Sequence, residues 1–133
     1  MTDPVIGSTY QKKMMVTKEL FASTVGSGTL DVLATPMVVA LMEGAAAELS
    51  NQYLDPNFTT VGIKINVNHL RPSVEGMHIT AVATFAAVSG KKYSFSIEAF
   101  DEKGLIATAE HDRFVVESEV FLKNAIARAK EKV

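Results

Sequence analysis

The stretch at residues 36–53, PMVVALMEGAAAELSNQY, decides the fold. Pro36 suits the first position of a helix, and Thr35 before it is a natural N-cap. Between residues 37 and 47 the only non-apolar side chain is Glu43, apart from the bare Gly44. Apolar residues therefore run all round the helix, a pattern that predicts burial rather than a half-exposed position. A chain of 133 residues rarely buries a whole helix unless a sheet wraps it.

The residues that follow supply the sheet. Across 61–69 the odd positions are Val61, Ile63, Ile65, Val67 and His69, and the even ones Gly62, Lys64, Asn66 and Asn68. Such alternation predicts a half-buried strand with the odd positions inward. After RPSVEG comes a second strand over 77–88. SGKK turns into a third, in which Tyr93, Phe95, Ile97 and Ala99 alternate with polar residues; DEKG turns into a fourth over 105–116. Three short turns in succession predict an antiparallel meander. Upstream, residues 9–17 read as a first strand. The small, Gly-rich ASTVGSGTLD at 22–31 reads as an exposed flexible loop. Residues 119–130 close the chain as an amphipathic helix, with Leu122, Ile126 and Ala129 on one stripe. The expected fold is α+β: a curved antiparallel sheet around one buried helix, the hotdog arrangement, in a single domain over 1–133. A sheet of this kind leaves its edges open, and pairing them across a two-fold axis predicts a homodimer.

Composition narrows the function. With 13 Lys+Arg against 15 Asp+Glu the net charge is −2, which disfavours a nucleic-acid partner. Cysteine is absent, so thiol catalysis and Cys-ligated metals are excluded. The start carries no apolar leader segment, and no charge-free run approaches the ~18–20 residues of a membrane span. The expectation is a cytoplasmic protein without a membrane partner.

Three residues stand out chemically. Glu43 sets a carboxylate in an apolar helix, where desolvation raises a carboxyl pKa and suits general acid–base work. Alternatively it points to a solvent gap or subunit interface and solubilises it. His69 continues the inward register, as a proton carrier near neutral pH or as a satisfied core or edge histidine. Thr35 is explained by capping, worth ~1 kcal/mol. In its other reading, its hydroxyl and the helix N-terminus face a developing oxyanion. Thr35 and Glu43 are eight positions apart, about 12 Å of rise and ~80° of rotation on a straight helix. Either Thr35 lies on a bent approach to the helix, or the two serve opposite ends of a site shared between protomers. His78 reads as solvated surface. His111 shares a face with Ala107, Ala109 and Arg113, either near a pocket rim or paired with Asp112 or Glu110. The histidines show no HxxH or HxxxH spacing, so no metal site is expected, and there is no GxSxG elbow.

The runs LATPMVVALMEGAA, VGIKINVNHLRPSVEGM and AEHDRFVV, in that order and spacing, resemble the fluoroacetyl-CoA thioesterase-like family of the hotdog superfamily. The similarity extends from about Ile6 to the terminal helix. It implies a cofactor-free thioester hydrolase acting on an acyl-CoA, with catalytic Thr35, Glu43 and His69. It also implies that Gly62 lies beside the acyl thioester and that Arg113 is the family's arginine after the late histidine. In the family's namesake the segment before the threonine carries an aromatic lid. Here VGSGTLDVLA has none after Phe21, which implies that selectivity for fluoroacetyl-CoA is not kept. In the expected chemistry His69 acts as base or acid toward water and the thiolate. Glu43 is a base or a nucleophile forming a mixed anhydride, and Thr35 holds the acyl oxygen. Arg71 and Lys64 are candidates for the CoA phosphates. The competing reading is a hotdog module that binds acyl-CoA or a small hydrophobic ligand without turning it over. A hotdog dehydratase would carry a DxNxxH-type run, which INVNHLRP lacks.

Overall fold

In the computed structural model, which describes residues 1–133, five antiparallel strands form one sheet. They are β1 (Thr9–Met15), β2 (Phe58–His69), β3 (His78–Ser89), β4 (Lys92–Asp101) and β5 (Gly104–Glu117), in the order β1-β3-β4-β5-β2. Three helices accompany them: α1 (Ala22–Val25), α2 (Thr35–Asn51) and α3 (Ser118–Ala129). The expected hotdog architecture, a sheet around a central helix with a short C-terminal helix, is the one observed. α1 lies within the segment expected to be an irregular loop, which is otherwise exposed as anticipated.

The meander holds only for β3, β4 and β5. Their hairpins close at Gly90 and Gly104, whose φ of 61° and 132° lie where side chains are disfavoured. RPSVEG is not a hairpin. β1 already pairs with the free edge of β3, so β2 adds to the other open edge, beside β5, and the segment crosses from one edge of the sheet to its far side.

The alternation in β2 also breaks. Val61 pairs with Phe114 and Gly62 with Arg113, but Lys64 pairs with Asp112, leaving Ile63 as an extra residue. A β-bulge of this kind moves the strand's two halves out of phase. Thr60 and Gly62 face inward before it, and Ile65, Val67 and His69 after it; Ile63 is 53% exposed. The odd-position register is therefore correct from Ile65 onward and wrong for Val61 and Ile63.

The sheet's inner face and α2 share the core. Val38, Leu41, Met42 and Leu49 from the helix pack on Ile79, Phe85, Phe95, Ile97 and Ile106 from the strands. Each such side chain stabilises by about 1.5–3 kcal/mol when fully buried. Phe85 and Phe95 stack at 4.6 Å between ring centroids. The sheet covers one face of α2, not all of it: Ala40 is exposed and Glu43 and Ala47 half-buried. α3 buries no residue, so its apolar stripe has no cover within the chain.

Candidate active site

α2 begins differently from the sequence expectation. Ala34, in extended conformation, is the residue before the first turn, and Thr35 already belongs to the helix with Pro36 beside it. Thr35 therefore caps nothing. Freed from that role, its Oγ1 lies 2.7 Å from Nδ1 of His69 at the end of β2. The other ring nitrogen, Nε2, is buried and bonds to no protein group. Burial pushes the His69 imidazole below its ordinary pKa of 6.5, favouring the neutral ring. If Nδ1 accepts from the threonine, Nε2 carries a proton to give; if Nδ1 donates, Nε2 is a base. Both residues line a cleft of about 290 Å³, walled also by Ala22, Ser27, Val32 and Arg71. The strand end is pinned there, because the N–H groups of Leu70 and Arg71 both donate to the Ile106 carbonyl, at 2.7 and 3.2 Å.

Glu43 belongs to a second cluster at the other end of β2. Its Oε2 lies 3.9 Å from Nη1 of Arg113. A Cβ placed on Gly62 would come within 2.7 Å of the same oxygen, so only glycine lets the carboxylate reach the strand. The Glu43 side chain is 40% exposed, since it sits at the boundary of the face that the sheet covers. The full desolvation expected of a mid-helix carboxylate is therefore not realised.

Arg113 is only 7% exposed and is held on every side. Its Nε donates to Oγ1 of Thr60 at 2.7 Å, and Nη2 donates to the Thr60 carbonyl at 3.0 Å. Nη1 lies 3.2 Å from Nε2 of His111. The other nitrogen of His111, Nδ1, lies 2.7 Å from the carbonyl of Lys64. A carbonyl can only accept, so Nδ1 carries the hydrogen and Nε2 accepts from the guanidinium. Burial pushes the His111 imidazole down as well, which suits this neutral tautomer. The accepting carbonyl belongs to the residue right after the bulged Ile63.

All five residues singled out by sequence and resemblance thus lie on the inner side of the fold, but in two groups. Thr35 meets His69; Glu43 meets Gly62 and Arg113. Six strand steps separate Gly62 from His69 once Ile63 is counted out, about 20 Å, so one chain does not bring the groups together. Sequence reasoning missed Thr60, and it offered His111 a pocket rim or a pairing with Asp112 or Glu110, whereas the ring is buried against Arg113. The face that His111 was expected to share with Ala107, Ala109 and Arg113 is the one observed on β5, and all four are buried. His78 is exposed as expected, with Nδ1 at 3.0 Å from Glu102. Lys64 borders a cleft that also holds Glu110 and Asp112.

Comparison with known proteins agrees with this fold. A family model described as fluoroacetyl-CoA-specific thioesterase matches residues 16–119. The fluoroacetyl-CoA thioesterase of Streptantibioticus cattleyicolor is 33% identical over 100 residues, 75% of this chain and 70% of that one. A solved structure of fluoroacetyl-CoA thioesterase superposes with a TM-score of 0.88 at 26% identity, over 98% of this chain and 99% of that one. A variant of that enzyme in complex with fluoroacetate and CoA superposes with a TM-score of 0.83 at 25% identity, over 88% and 98%.

Proposed function

Because this chain belongs to the fluoroacetyl-CoA-specific thioesterase family, we propose that it hydrolyses a small acyl-CoA thioester to the free acid and CoA. The observation that carries this reading is the Thr35–His69 pair at 2.7 Å, with Nε2 of the histidine unengaged. A neutral imidazole held by one nitrogen leaves the other free to move a proton between water and the departing thiolate. Water, or the Glu43 carboxylate followed by water, adds to the carbonyl carbon; the C–S bond then breaks and the sulfur takes the proton. Thr35 and the first N–H groups of α2 stabilise the oxyanion, and Gly62 and Arg113 lie beside the acyl group with Glu43.

The reading includes a homodimer. β2 is a free edge, and Gly62 and His69 stand three strand steps on either side of Asn66 once the bulged Ile63 is left out of the count. Two β2 edges paired antiparallel about Asn66 put Glu43 and Gly62 of one chain opposite His69 of the partner subunit. One domain over residues 1–133 supplies both halves. We place the enzyme in the cytoplasm, where acyl-CoA thioesters are made and, being charged, retained; no helix of the structure is long and apolar enough to cross a membrane.

Thiol release from acetyl-, butyryl- and benzoyl-CoA tests the reading. Release from at least one, abolished in His69→Ala, is the expected result. Binding of these thioesters without release would instead favour the ligand-binding module. A single species of monomer mass in light scattering at micromolar concentration would overturn the dimer.

A further inference from the structure

The cleft at Thr35 and His69 has a neighbour. A second, larger cleft of about 710 Å³ is lined by Leu70, Arg71, Lys103 and Leu105, so the two share Leu70 and Arg71. The two clefts thus adjoin at Leu70 and Arg71, one holding the hydroxyl–imidazole pair and the other two cations. Neither Arg71 nor Lys103 forms a salt bridge. The carboxylates nearest in the chain, Asp101 and Glu102, line neither cleft and form no salt bridge with either cation. Asp101 accepts from the Ser73 hydroxyl at 2.8 Å and from the N–H of Lys103 at 2.8 Å. Glu102 is held by the backbone and ring of His78. Both cations rise from fixed backbone: Arg71 is tethered to the Ile106 carbonyl, and Lys103 is held through Asp101.

Other candidate cations are placed otherwise. Lys12 is paired with Glu48 at 2.8 Å, and Arg113 is buried in its own cluster. Lys64 shares its cleft with Glu110 and Asp112, which would repel an anion. Leu70 and Leu105 line the second cleft beside the two cations, and Leu70 is 57% exposed. An elongated ligand with a reactive group at one end and phosphates at the other can span the two clefts.

We infer that Arg71 and Lys103 form a phosphate-binding subsite, which takes the diphosphate or the 3′-phosphate of the CoA portion while the thioester lies at Thr35 and His69. The inference rests on the thioesterase reading above and adds to it the recognition of the nucleotide end. Arginine supplies a planar fork that matches two phosphate oxygens, and lysine a point charge that can follow either group. Both cations are exposed, so the attraction is screened by salt.

The test compares acetyl-CoA, acetyl-3′-dephospho-CoA and acetyl-pantetheine as substrates of the wild type, Arg71→Ala, Lys103→Ala and the double variant. The expected result is a KM for acetyl-CoA raised about 10- to 100-fold in the double variant, with kcat within about twofold. Kinetics on acetyl-pantetheine, which lacks the nucleotide phosphates, stay at the wild-type values. Arg71→Lys recovers part of the loss, and the wild-type KM for acetyl-CoA rises with ionic strength. If the penalty persists with the dephospho substrate, the diphosphate is the ligand; if it disappears, the 3′-phosphate is. Equal losses on acetyl-pantetheine, or an unchanged KM for acetyl-CoA, would overturn the subsite. Calorimetric binding of free CoA decides the matter even without turnover. Weaker binding by the double variant supports the subsite and places the failure in the hydrolytic reading, whereas binding that is unaltered, or absent from the wild type, removes the subsite.

Discussion

The two ends of β2 are built on opposite plans. At one end His111 spends both ring nitrogens, one on a carbonyl and one on Arg113, and Arg113 spends its donors on Thr60 and His111. At the other end His69 spends one nitrogen on Thr35 and keeps the second. A satisfied imidazole fixes geometry; a half-engaged one retains a capacity that a reacting group can use. Two histidines of the same sheet face thus take different duties, one holding a cation in place beside Glu43 and one available for proton transfer.

That contrast can be broken at several points. The largest effect is expected at Glu43→Gln, which removes charge but little volume: a loss of about 10²–10⁴-fold in kcat with the fold intact. A wild-type rate would reduce Glu43 to a neighbour of Gly62. Next, His69→Ala is expected to cost at least ~100-fold in kcat/KM and only a few degrees of Tm. His111→Ala strands Arg113 Nη1 and the Lys64 carbonyl, costing about 1–3 kcal/mol and roughly 5–10 °C. His78→Ala, at an exposed position, serves as the unchanged control in both assays. Identical profiles for the His69 and His111 variants would erase the distinction between the two ends.

Mixing sharpens the comparison further. If each site takes Glu43 from one chain and His69 from its partner, refolding Glu43→Gln together with His69→Ala regenerates one intact site per mixed dimer. Recovery of about a quarter of the wild-type activity follows from random pairing. No recovery would put both groups to work within a single chain. A smaller loss, about 10- to 100-fold, is expected for Gly62→Ala, because the added methyl displaces the Glu43 carboxylate while the flexible end of that side chain absorbs the strain. Unchanged kinetics would show that the carboxylate's approach to the strand is dispensable.

The smallest effect concerns pH. Burial holds both His69 and His111 below their ordinary value of 6.5. The unfolded chain therefore takes up more protons than the folded one as pH falls beneath that value. Stability is fully present above about pH 6.5–7 and declines on acidification. Tm measured at pH 5.5 should lie a few degrees below that at pH 7.5, with a shallower slope in His111→Ala. A Tm independent of pH over that range would place both rings in solvent.

The architecture was legible because hydrophobic periodicity is local: the apolar run of α2 and the alternation of β4 announce themselves within a dozen residues. Strand order was not, since which edge β2 joins depends on β1 having taken the edge of β3, a pairing some 70 residues apart. Thr35, Glu43, His69, Gly62 and Arg113 were candidates from sequence and resemblance, and helix spacing already allowed Thr35 and Glu43 to stand at opposite ends of a shared site; which residues meet at each end was not legible. Capping chemistry gave Thr35 a sufficient local role, and only the tertiary approach of His69 reveals another. The bulge was hidden for a different reason. Ile63 is as apolar as Val61 and Ile65, so an inserted residue passed for one more beat of the alternation.

That inserted residue has an evolutionary consequence. β2 is a sentence with a shift of parity written into it, and both clauses must be read correctly at once. Straightening β2 without losing a residue would leave seven steps between Gly62 and His69 and turn one of them outward, whereas losing Ile63 together with the bulge leaves six and keeps both inward. Descendants of this chain can drift in sequence along β2, but there the bulge and its extra residue can only be kept or lost together.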